Sequence, residues 1–188
     1  MIQERIFKPT EEEITENVIG VGVLLVTPDF RFLTVQELKT KRSTGKIVGM
    51  RTAPMETVID GESDDDAIKR LFQEEVVLNE AELPLDKKVL LCKIQLTKGV
   101  WLHGYLLQIE QPVLAAIGTE KHEVSDPFWT SIEEVLQSNP DDRQFRPGVR
   151  ELVLSYLTFL ESPENFSPHL FFRTQGKVQD EVFDSLGA

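Results

Sequence analysis

A single cysteine, Cys92, is present in this chain of 188 residues, which rules out an internal disulfide framework and a multi-cysteine metal site. Its setting, Val89-Leu90-Leu91-Cys92, reads as that of a small buried hydrophobe. Basic residues are scarce too. Against 32 Asp and Glu there are only 20 Lys and Arg, for a net charge of -12 and a pI near 4.7. Such a balance argues against nucleic-acid and anionic-membrane partners, both of which are polyanions. No apolar run approaches the roughly 20 residues a membrane span requires. Residues 1–17 are mostly charged and polar, so no signal peptide is expected and the chain reads as cytoplasmic. His103, His122 and His169 show no ligand spacing. No Walker phosphate loop, G-x-S-x-G elbow or zinc motif occurs, and residues 60–66 lack the spacing of an EF-hand loop.

What is present describes one medium domain. At 40% hydrophobic and 28% charged residues, the chain has an ordinary globular composition and length enough for a sizeable core. The expected division is an N-terminal extension (1–17), a domain (18–162) and a phenylalanine-bearing tail (163–188). Residues 18–26 are β-rich, with Gly20 and Gly22 suited to a close backbone approach. Pro28-Asp29 makes a turn, and residues 31–36 alternate as the return strand. A polar loop follows at 39–49, then a short strand over 57–59. Ser63 resembles a helix cap, and Ile68, Leu71, Phe72 and Val76 recur at helical spacing behind it. A second hairpin is expected over 89–96 and 100–108. A capped helix begins at Ser131, and the stripe Val149, Leu152, Val153, Tyr156, Leu157, Leu160 makes another, with Pro147 suited to its first position. The arrangement is mixed strand and helix, with helices covering a sheet.

Two features carry chemistry. Arg31, Lys39, Lys41, Arg42, Lys46 and Arg51 fall together just before the acidic stretch. They read either as a solvated loop or as a positive patch for a small phosphorylated ligand. Beyond them, Glu62-x7-Arg70-x3-Glu74-Glu75 sets one basic and two adjacent acidic side chains on one helix. Arg70 and Glu74 are four apart, so Arg70 can orient Glu74 through a charge-assisted bond. Mg²⁺ can be held by one or two carboxylates plus substrate phosphates.

The chain here resembles the Nudix family, whose signature is G-x5-E-x7-R-E-U-x-E-E-x-G-U. Glu62, Arg70, Glu74, Glu75 and Leu78 match, and Phe72 nearly matches. Glu56 and Val77 replace glycines, and Leu71 replaces a glutamate. Residues 54–63 look like the family's P-G-G-x-V-E-x-G-E-S run, and the likeness extends over about residues 18–161. It implies an α/β (α+β) fold, an α/β/α sandwich with a mixed sheet. It further implies Mg²⁺- or Mn²⁺-dependent hydrolysis of a nucleoside diphosphate linked to another moiety, in a protein that is often a homodimer. Glu74 and Glu75 would hold the metal, Arg70 would orient them, and Arg51 would touch phosphate. Leu71 can neither ligate a metal nor take a proton. Glu120 or Glu123 would then serve as general base, with Glu56 a candidate for the missing carboxylate. The alternative is a catalytically inactive Nudix-fold module that binds a nucleotide or a protein partner.

Overall fold

Alternation of apolar side chains with a period of two builds the middle of the molecule. The structure, a computed structural model, describes residues 16–40, 46–77, 83–97, 99–110, 116–117, 123–125, 127–138 and 144–172. Strand β1 (Val18–Val26) sends Val21, Val23 and Leu25 into one apolar cluster and Leu24 and Val26 into another. A strand apolar on both faces must be covered on both. On one side lies α1 (Asp64–Glu74), which buries Ala67, Ile68, Leu71 and Phe72. On the other lie α2 (Ile132–Gln137) and α3 (Val149–Glu161), joined to the second cluster through Ile132, Val135, Leu152 and Tyr156. Fully burying a side chain such as Leu71 contributes roughly 1.5–3 kcal/mol.

The sheet between these helices is mixed. β1 runs antiparallel to β2 (Arg31–Gln36) and, over its whole length, parallel to β7 (Val100–Gln108). β7 pairs with β6 (Val89–Thr97) as the second expected hairpin. β3 (Arg51–Thr52) and β9 (Phe128–Ser131) add to β2, and β4 (Met55–Thr57) adds to β1, in a sheet that has eight strands among the described residues. β5 (Val76–Val77) and β8 (Ala116–Ile117) form a separate antiparallel pair. The expected sandwich with a mixed sheet is what the chain adopts.

Several boundaries differ from expectation. The strand expected at 57–59 lies at Met55–Thr57, because its register is set by pairing with Gly20 to Gly22. The approach is close. A Cβ on Gly20 would sit 3.2 Å from the Glu56 carbonyl oxygen, so glycine is what lets β4 lie there. Helix α3 starts at Val149, not at Pro147. Gly148, at φ 103°, is its cap, and the Glu151 side chain accepts the Gly148 N–H at 3.0 Å. The segment read as a tail contributes β10 (His169–Phe172), which extends the sheet in parallel beyond β6. Residues 173–188 lie outside the described residues, as do Lys41, Arg42, Leu78, Glu120 and His122. Among the described residues no helix is long and apolar enough to cross a membrane.

Candidate active site

The acidic stretch folds around Arg70. Ser63 caps α1, its hydroxyl accepting the Asp66 N–H, and three aspartates occupy the first turn, where the helix dipole favours negative charge. One and a half turns on, Arg70 donates from Nε to Glu62 Oε1 and from Nη2 to Glu62 Oε2, both at 3.0 Å. Nη2 also donates to the Thr57 carbonyl at 2.6 Å, and Nη1 to Glu74 Oε2 at 3.2 Å. Glu56 lies 3.5 Å from the same guanidinium. These bonds tie the loop before the helix, strand β4 and the end of the helix to one planar donor. The Arg70 bond holds the Glu62 carboxyl below its usual range, with help from the Ile59 N–H. Glu62 in turn is the main reason the Arg70 pKa is raised.

Glu74 ends the helix and Glu75 caps it, its N–H still donating to the Leu71 carbonyl at 3.0 Å. The two carboxylates therefore diverge. Glu74 is partly exposed beside Arg70, whereas Glu75 is 3% exposed, its Oε2 accepting the Met55 N–H at 3.4 Å. Burial pushes the Glu75 carboxyl up to about 8. The charges of Glu56 and Glu37 push the same way, and those of Lys46 and Arg146 pull against them. Leu71, one turn earlier, is fully buried in the apolar cluster that also holds Val21, Val23 and Phe72. Core packing therefore occupies position 71.

These residues border a cleft of about 220 Å³. Arg70, Glu56, Glu74 and Glu75 line one part, Lys46, Arg146 and Glu123 another, and Val18, Leu96, Val100 and Leu102 give it an apolar portion. The cleft thus gathers Arg70, Glu74, Glu75 and Glu123 from the residues expected at the site. It does not gather Arg51, whose Nη1 donates to Glu134 at 2.7 Å and whose guanidinium lies 4.4 Å from the Phe145 ring centroid. Among the described residues no three His, Cys, Asp or Glu side chains converge as a cage for a metal ion.

Two residues of the site were missed by sequence reasoning. Glu37, 1% exposed, receives Arg146 Nη1 on Oε1 at 3.0 Å. A signal for Glu37 exists: it continues the inward series Leu33, Val35, so a charge there is out of pattern. Arg146 has no local signal, since its place is set by the pairing of its N–H with the Arg51 carbonyl at 2.8 Å.

No protein-family model matches the sequence, and no curated protein matches it. Solved structures do. The Nudix domain of Shewanella oneidensis NrtR, in complex with ADP ribose, superposes with a TM-score of 0.59 over 81% of this chain and 94% of that one, at 16% identity. The chain has the Nudix fold. An Ap4A hydrolase from C. elegans, as a binary complex, gives 0.54 over 77% and 98%, at 17% identity. The M. smegmatis Nudix hydrolase RenU gives 0.56 over 81% and 89%, at 12% identity. Identities this low carry the Nudix fold across and leave the chemistry to the residues of this chain.

Proposed function

We propose that this chain is a Nudix-type hydrolase that cleaves the phosphoanhydride of a nucleoside diphosphate linked to another moiety, with Mg²⁺ or Mn²⁺ as cofactor. The observation that carries this reading is Glu75, a buried carboxyl held near neutral titration in a cleft that also contains Glu56 and Glu74. A divalent cation is a partner that such a group can take. Glu75 and Glu74 are the proposed metal ligands, and Glu56 is the nearest candidate for the carboxylate absent at Leu71. No three-sided protein cage is needed when substrate phosphates complete the coordination. The metal supplies charge neutralisation and polarisation of the phosphate. Arg70 keeps Glu74 in place through its 3.2 Å bond. Glu123, which borders the cleft beside Lys39 and Lys46, is the proposed general base, and Glu120 the alternative. Arg51 remains a proposed phosphate contact only for a part of the ligand that extends out of the cleft. The apolar portion of the cleft suits a nucleobase, and the neighbours bound to ADP ribose and named for Ap4A hydrolysis are consistent with that ligand class.

Nucleotide release from a panel of nucleoside diphosphate derivatives, with and without Mg²⁺, tests the reading. Metal-dependent turnover is expected, falling about 10³-fold or more in Glu75→Gln, since a metal ligand acts on several kcal/mol of the barrier. Equal turnover in the variant would overturn the assignment. The second reading, a module that binds a nucleotide without chemistry, is favoured by one observation: Leu71 is locked in the core. Binding across the panel with no turnover in either metal would select it.

A further inference from the structure

The basic residues gathered before the acidic stretch in sequence do not stay together in space. Arg31 donates to Asp29 at 2.7 Å, and Arg51 donates to Glu134 at the same distance. Lys46 alone among the described members borders the cleft, where Arg146, from the far end of the chain, joins it. The Lys46 side chain is 14% exposed. Its Nζ lies 3.6 Å from Glu37 Oε2 and 3.8 Å from Glu123 Oε2, and among the described residues it makes no hydrogen bond. Glu37 Oε2 is likewise buried without a hydrogen-bond partner. An ammonium carries three donors and is costly to enclose without acceptors. The neighbouring carboxylates hold Lys46 by charge but leave its donors unspent.

We propose that Lys46 and Arg146, both held by buried Glu37, form a phosphate-binding subsite in the cleft that contains Glu56 and Glu75. The ligand class is a diphosphate. Lys46 offers a point charge and Arg146 a planar donor fixed by its 3.0 Å bond to Glu37. Lys46 and Arg146 line the same cleft as Glu56 and Glu75, so the subsite faces the acidic wall. A diphosphate seated there would span from the cation pair to a metal on the acidic side. Glu37 is a positioning residue in this account, since it touches the cations and not the ligand. The inference rests on the phosphate-ligand reading above, though not on turnover.

The test titrates the full chain calorimetrically with methylenediphosphonate, which cannot be hydrolysed, in Mg²⁺. Wild type binds, and Lys46→Met weakens binding about tenfold or more, as loss of one charged hydrogen bond requires. Lys46→Arg keeps the affinity within about threefold, and Arg31→Met leaves it unchanged, because Arg31 pairs elsewhere. Arg146→Met alone would strand the buried Glu37, so the double variant Glu37→Gln/Arg146→Met serves in its place and loses about tenfold as well. No binding by wild type, or affinities within about twofold of wild type in Lys46→Met and the double variant, would overturn the subsite. Absence of turnover on the nucleotide panel would overturn the hydrolase reading while leaving this result standing.

Discussion

Around Arg70, four hydrogen bonds to Glu62, Glu74 and the Thr57 carbonyl join three chain segments at the edge of the cleft. Around Glu75, by contrast, charge is buried and loosely paired. Among the described residues its carboxylate accepts one hydrogen bond, 3.4 Å long, Lys46 makes none, and Glu37 Oε2 accepts none although Lys46 lies 3.6 Å away. The same helix supplies residues to both walls. The first wall satisfies its charges internally and so builds the loop. The second leaves electrostatic demand unmet, and unmet demand in a cleft is what a charged ligand or cation can answer.

The third face of the helix offers the largest effect on stability. Leu71→Ala should cost about 3 kcal/mol by urea unfolding, because a fully buried leucine leaves a cavity in the cluster with Val21 and Phe72. A cost below about 1 kcal/mol would mean the site face, not the core, governs position 71. Next, Arg70→Ala should cost about 2 kcal/mol, discounted because the guanidinium is 19% exposed. A neutral result would dissolve the distinction between a building wall and a binding wall.

The pH-dependent effect is the most diagnostic. A carboxyl whose folded pKa is raised to about 8 favours the folded state only while protonated. Below its unfolded pKa, near 4.5, that contribution is fully present, and it is lost as pH rises toward 8. In metal-free buffer, Glu75→Gln should therefore flatten the decline, gaining stability over wild type at pH 9 and none at pH 4. Identical pH profiles for the two proteins would show that Glu75 is not held in a destabilised state.

Much of this arrangement was legible beforehand, for physical reasons. β1 follows from a β-rich run, β2 from alternation, the β6–β7 hairpin from two β-rich runs about a Lys98-Gly99 turn, and α1 from its cap and 3.6-residue spacing, all local signals. The Arg70–Glu74 bond follows from i,i+4 geometry. What was not legible depends on long-range pairing. Glu75 reads as the twin of Glu74, yet the helix ends between them, one facing solvent and the other the interior. Arg51 reads as a phosphate contact, yet the isolated bridge to Phe145 carries it toward Glu134. Arg146 enters the cleft only through that same bridge, and nothing around it in sequence says so.

The central claim is that Glu75 is protonated near neutral pH until a cation replaces its proton. Calorimetric titration of the protein with Mg²⁺ at pH 7, in buffers of differing ionisation enthalpy, measures this directly. Close to one proton released per Mg²⁺ bound, falling to none in Glu75→Gln, is the predicted result. Mg²⁺ binding with no proton release, or unaltered by Glu75→Gln, would contradict it.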